Sequence, residues 1–152
     1  MNFLKPKFWD KNYISVYSIL LLPLSLLILF ISQLKILLIR KYKFPIPVIC
    51  VGNIYLGGTG KTPISIEIKK NLSNLNKKTV FIRKKYKAYE DEIRLLKKYG
   101  DVLEDSKRAD ALKIAVKNKY EVAILDDGFQ DFSIKKDISI VCFNLKQFIG
   151  NG

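Results

Sequence analysis

An α/β fold built on a parallel sheet, preceded by an apolar helix, is what this sequence predicts. Three observations carry the expectation. The apolar run from Pro47 ends at Gly52, a glycine-rich loop then closes on Gly60-Lys61-Thr62, and an amphipathic segment follows at once. Short β-branched runs alternate with helical ones from there to the end of the chain, the pattern of parallel strands joined by crossover helices. Ile14 to Leu34 contains no charged residue.

The strand–loop–helix unit is the first element to justify. Tyr55, Leu56, Gly57, Gly58, Thr59, Gly60, Lys61 and Thr62 form its turn. Backbone N–H groups in such a loop, together with the positive end of the following helix, suit the oxygens of a triphosphate. Lys61 is placed to reach the β- and γ-phosphates, and the Thr62 hydroxyl to ligate Mg²⁺. The strict pattern asks for glycine where Tyr55 stands. The predicted class is therefore P-loop NTPase-like, with ATP and Mg²⁺ as the implied cofactors.

Residues 1–44 are read as a membrane anchor helix and linker, and 45–152 as the P-loop domain. Met1 to Lys11 mixes lysines with Phe8 and Trp9, a composition that suits a membrane interface. Ile14–Leu34 is long enough to cross a hydrocarbon core of about 30 Å at about 1.5 Å per residue, and Pro23 is a candidate kink. The run is too long for a signal peptide and lacks a small-residue cleavage site. Lysines flank it on both sides, so charge does not orient it; a nucleotide-binding loop does, because ATP is cytosolic. A helix that dips into the bilayer without crossing remains an alternative.

Pro45 and Pro47 mark the linker into a first strand over 47–52, and a helix is expected over 61–73. A second strand covers Thr79 to Arg83. Lys84-Lys85-Tyr86-Lys87 follows, readable as a solvated connection or as a patch near an anionic lipid headgroup. Glu90-Asp91-Glu92 opens a helix over 90–99, its acids offsetting the helix dipole. A short strand at Asp101 to Leu103 and a helix from Arg108 to Lys119 come next. The strand from Glu121 ends in Asp126-Asp127-Gly128. Ligands of parallel sheets bind at the carboxyl ends of strands, where such carboxylates can hold Mg²⁺; Asp-Gly is equally a turn signal. A last strand covers Ile138 to Phe143.

The net charge is +13, from 27 basic and 14 acidic residues. Arg40, Arg83, Arg94 and Arg108 are the only arginines, and lysine, isoleucine and asparagine are frequent. Compositional bias accounts for this as well as a polyanionic partner does, and no nucleic-acid partner is implied. The chain has no histidine, and its two cysteines, Cys50 and Cys142, stand inside apolar runs, as small buried hydrophobes do. Nothing in the pattern speaks for an oligomeric state.

An N-terminal membrane helix, then Val51-Gly52-Asn53-Ile54-Tyr55-Leu56-Gly57-Gly58-Thr59-Gly60-Lys61-Thr62-Pro63, then Leu125-Asp126-Asp127-Gly128-Phe129-Gln130, resembles the tetraacyldisaccharide 4′-kinases, the lipid A 4′-kinases of Gram-negative bacteria. The likeness runs the length of the chain but covers about the first half of a family member. It implies phosphoryl transfer from MgATP to the 4′-hydroxyl of an acylated glucosamine disaccharide in the inner membrane, with the catalytic domain on the cytoplasmic side. It gives Asp126 and Asp127 the Mg²⁺ role and Lys61 a catalytic one. Asp91 inherits the role of the acid that activates the acceptor hydroxyl, and Arg108 matches an arginine near the active site.

Departures accompany the likeness. Where the family has Ser-Arg-Gly-Tyr-Gly after the second strand, this chain has Ile82-Arg83-Lys84-Lys85-Tyr86, without either glycine, and Asp131 stands where the family has histidine. Phe148 to Gly152 matches the segment that, in the family, leads into the second half of the enzyme. The fold is thus expected to be C-terminally incomplete, with the nucleotide-binding half of the site present, most of the acceptor half missing, and little turnover by the chain alone. Two other functions are weighed: a membrane-tethered ATPase of the deviant Walker type, against which Leu56 replaces the signature lysine, and a non-catalytic nucleotide-binding remnant.

Overall fold

The structure is a computed structural model that describes residues 16–53, 60–85 and 90–143. Among these the chain order is α1 (Val16–Leu38), β1 (Val48–Asn53), α2 (Lys61–Asn74), β2 (Thr79–Lys84), α3 (Glu90–Lys97), β3 (Val102–Asp105), α4 (Arg108–Lys117), β4 (Val122–Asp126) and β5 (Ile138–Cys142).

The strands form one sheet in the order β3-β2-β4-β1-β5, parallel at every pairing. Successive side chains on a strand point to opposite faces, and the core divides on that rule. Val48, Cys50, Val80, Ile82, Ala123 and Leu125 pack with Ala111, Leu112 and Ala115 of α4. Val51, Phe81 and Ile124 pack on the other face with Ile66 of α2 and Leu96 of α3. Both faces of β1, β2 and β4 are therefore covered, which is why these strands read as continuous apolar runs rather than alternating ones. Both cysteine thiols are buried, and burial pushes both up from their ordinary pKa.

Two helices end on the same device. At the end of α2, Asn76 adopts φ 56° and the N–H of Lys77 donates to Leu72 O at 2.9 Å. At the end of α4, Lys119 adopts φ 57° and the N–H of Tyr120 donates to Ala115 O at 3.1 Å. A left-handed residue closing a bond back five positions satisfies carbonyls that the helix leaves open. It explains why α4 stops at Lys117 rather than running to Lys119. Likewise α3 ends at Lys97 because Tyr99 and Gly100 turn back onto Leu96 O. The short third strand sits slightly later than its sequence suggested, at Val102–Asp105.

The apolar helix is α1. It runs through Pro23 as one helix and continues past Leu34 to Leu38, taking in Lys35. Ile19–Leu38 has mean hydropathy 2.3 and is 0% buried. Its length and composition are sufficient to cross a membrane. After it, Tyr42 bridges to Ile134, with Tyr42 N–H donating to Ser133 O at 2.8 Å, so the linker is fastened to the segment between β4 and β5. That segment is fastened in turn to β1: the N–H of Val48 donates to Asp137 Oδ2 at 2.8 Å, and the N–H of Asp137 to Val48 O at 2.9 Å.

Candidate nucleotide site at the carboxyl edge of the sheet

Parallel strands bring their carboxyl ends to one edge, so Asn53, Lys84, Asp126 and Cys142 close four neighbouring strands along it. Gly60, at φ 79°, turns the chain into α2 in a conformation that glycine adopts without strain. The first turn of α2 carries no acidic residue and no side-chain cap. Its N–H groups and their partial positive charge therefore meet no capping side chain among the described residues.

Lys61 is the first residue of α2. Its Nζ donates to Asn53 Oδ1 at 2.9 Å and lies 3.6 Å from Asp127 Oδ1. Asp127 is held in turn by its backbone. It sits at φ 58°, its N–H donates to Val51 O at 2.9 Å, and Arg108 Nη2 donates to its carbonyl at 2.6 Å. Asparagine and aspartate tolerate the left-handed region better than other side chains. The turn brings the strand ends together: the Phe129 ring lies against Gly52, and a Cβ at Gly52 would collide with it. Arg108 also places Nη1 3.9 Å from Asp131 Oδ2.

Asp126 and Asp127 are neighbours in sequence with opposite surroundings. Asp126 continues the face of Val122 and Ile124, beneath α2, and is 2% exposed. Its Oδ1 accepts from Ser65 Oγ at 3.3 Å, and its Oδ2 lies 3.5 Å from Arg83 Nε. Burial pushes its carboxyl up from the usual carboxylate range, against the downward pull of Arg83. The Asp127 carboxylate is 56% exposed and faces Lys61.

The structure thus brings Lys61, Asp127 and Arg108 into one contact set and joins Asp126 to it by sequence. Thr62 lies half-buried in the first turn of α2. Asp91 is exposed, in the first turn of α3. It adjoins the group through its neighbour Glu92, whose Oε2 accepts from Arg83 Nη2 at 2.6 Å. Tyr55, Leu56, Gly57, Gly58 and Thr59 lie outside the described residues, as do Lys87 and Phe148 to Gly152. No set of three His, Cys, Asp or Glu side chains able to hold a metal occurs among the described residues.

Asn53, Ser65, Arg83 and Glu92 were given no role in the site from the sequence. Two of them had a signal available: Arg83 is two residues beyond the core residue Phe81 and so shares its face, and Ser65 lies one turn past Lys61. Beside the site, a cavity of about 890 Å³ opens between the last turns of α1 and the start of α4. Lys35, Lys43, Lys84, Lys107, Arg108 and Asp131 are among its lining residues.

The sequence model of the family described as LpxK, tetraacyldisaccharide-1-P 4′-kinase, matches residues 17–100 and 85–152. The chain belongs to this family. A tetraacyldisaccharide 4′-kinase of Pelagibacter ubique is 48% identical over 155 residues, covering 100% of this chain and 48% of that protein. One of Rickettsia canadensis is 36% identical over 168 residues, covering 100% of this chain and 51% of that protein. The chain spans about half the length of the curated relatives it matches. Among solved structures, LpxK from Aquifex aeolicus, crystallised in complex with ATP, superposes with a TM-score of 0.71 at 28% identity, over 83% of this chain and 49% of that one. The α/β architecture expected from the sequence is thus that of the family.

Proposed function

We propose that this chain carries the ATP-binding half of a tetraacyldisaccharide 4′-kinase site. The reaction is transfer of the γ-phosphoryl group of ATP to the 4′-hydroxyl of an acylated glucosamine disaccharide 1-phosphate, a step of lipid A synthesis. The observation that carries the reading is the meeting of Lys61 with Asp127 and Asn53 at the carboxyl edge, in a family whose Aquifex member was crystallised with ATP.

In this reading Gly57, Gly58, Thr59 and Gly60 present backbone N–H groups to the phosphates. Lys61 exchanges its contact with Asp127 for phosphate oxygens. The donor set fits Mg²⁺, which takes one or two carboxylates together with phosphate oxygens and water. Thr62, Asp126 and Asp127 would hold it, and it would neutralise charge developing on the transferred group. Ser65 and Arg83 keep Asp126 oriented. Arg108 fixes the backbone of Asp127 and so the direction of its carboxylate. Asp91 accepts the proton of the attacking hydroxyl, a role its exposure at the start of α3 allows. Family membership favours this over a deviant Walker ATPase.

The apolar α1 would anchor the chain in the inner membrane, with the sheet on the cytoplasmic side where ATP is available. We assign the basic cavity between α1 and α4, which Arg108 lines, to the headgroup of a lipid held beside α1. The test is transfer of labelled phosphate from ATP to tetraacyldisaccharide 1-phosphate in mixed micelles, run beside ATP binding by the same chain. Binding with transfer supports a self-sufficient kinase, and binding without transfer restricts the chain to the nucleotide half. Failure to bind ATP rejects the reading.

A further inference from the structure

Arg83 touches two elements at once. It stands near the end of β2 with its side chain 8% exposed, between Asp126 of β4 and Glu92 of α3. The third nitrogen of its guanidinium, Nη1, is buried without a hydrogen-bond partner among the described residues. The guanidinium is buried against Asp126 on the sheet side, and Glu92, itself 47% exposed, meets it from the solvent side.

The anchoring of α3 gives that contact its importance. The helix has eight residues, too few to be stable without packing. Among its described side chains Leu96, in the last turn, is the fully buried one, at 0% exposed. At the other end, Asp91 and Glu92 belong to the opening turn, and Glu92 reaches the sheet through Arg83. Leu96 holds one end of the helix and the Arg83–Glu92 bond the other.

We infer that Arg83 is a positioning residue that clamps the first turn of α3, and with it Asp91, to the strand end that carries Asp126. The inference rests on the phosphoryl-transfer reading for what Asp91 does, but the clamp itself does not. It predicts that the two carboxylate-bearing elements hold their spacing through one planar cation. A lysine cannot replace that cation, because a single ammonium lacks the fork that meets both carboxylates.

Hydrogen–deuterium exchange on the whole chain, without nucleotide, tests the clamp in wild type, Arg83→Lys, Glu92→Gln and the double variant. Amides of residues 94–97 are expected to exchange about five- to tenfold faster in each single variant, the loss expected for a partly exposed charged hydrogen bond. The double variant should show no further gain, and peptides from α2 and α4 should be unchanged. If Arg83→Lys fails to fold, Glu92→Gln alone decides, since its side chain is half in solvent. Unchanged exchange in Glu92→Gln, or additive effects in the double variant, overturns the clamp. A second readout separates positioning from general damage: Glu92→Gln should bind MgATP within about twofold of wild type while α3 loosens. Parallel loss of ATP affinity overturns a purely positioning role. Absence of ATP binding in the wild type instead removes the phosphoryl-transfer reading and leaves the exchange result to judge the clamp.

Discussion

Replacing Lys61 by alanine should separate nucleotide binding from stability. The side chain is 20% exposed and its ionic partner Asp127 is 56% exposed. A pair so open to solvent contributes at most about 1 kcal/mol. The bond to Asn53 Oδ1 at 2.9 Å adds a contribution of similar order. Against these, Lys61 sits at the positive end of α2, where removing a cation returns about 0.3–1 kcal/mol. Because Asp127 is left facing water, no buried charge is orphaned. The net change in stability should stay within about 1 kcal/mol, a shift in Tm of a few °C for a chain of this size. Nucleotide binding should respond very differently. An ammonium–phosphate hydrogen bond contributes about 1.5–3 kcal/mol, which converts to a rise in Kd of roughly 10- to 150-fold. Titration with a fluorescent ATP analogue, alongside thermal unfolding of the same samples, reads both quantities. An unchanged Kd in Lys61→Ala would refute the assignment of Lys61 to the phosphates. A loss of several kcal/mol in stability would refute the account of its contacts.

Two further outcomes follow from the packing and the titrating groups. Gly52→Ala should destabilise by about 1–3 kcal/mol through collision with the Phe129 ring, and Phe129→Leu in the same chain should recover part of the loss. Equal Tm values for Gly52→Ala and wild type would show that the ring does not rest there. The Tyr120 phenol, which donates to Asp101 Oδ2 at 2.7 Å, is pushed up to about 12 by burial and by that carboxylate. A raised folded-state pKa contributes stability that is complete below the unfolded value near 10 and fades as pH rises toward 12. Wild type should therefore lose stability relative to Tyr120→Phe across that interval in chemical unfolding experiments. A constant difference between the two would contradict the assignment.

The order of elements was legible because each depended on local pattern. The runs ending at Gly52 and at Asp126 were apolar on both faces, and the glycine-rich loop had to follow a strand. The contacts of the site were less legible because they depend on which strands become neighbours. Lys61 and Asp127 are far apart in sequence and meet only because β4 inserts between β2 and β1. The same insertion places Arg83 beside Asp126. Asp126 and Asp127 read as an equivalent pair, whereas the left-handed backbone at Asp127 gives one a buried role and the other an exposed one. No sequence period signals that a non-glycine residue will adopt φ 58°. The end of α4 was less legible than its start, since Lys119 ends the helix by its left-handed conformation and not by residue type.

The division of each central strand between two cores sets where this chain can change length. Deleting one residue from β1 would exchange the partners of Val48, Cys50 and Val51, sending side chains shaped for α4 toward α2 and the reverse. The same holds for Phe81 between Val80 and Ile82, and for Ile124 between Ala123 and Leu125. Insertions and deletions are therefore confined to the connections between elements. The strands act as fixed rulers, setting the distance from the fastening at Val48 and Asp137 to the edge where Lys61 and Asp127 meet.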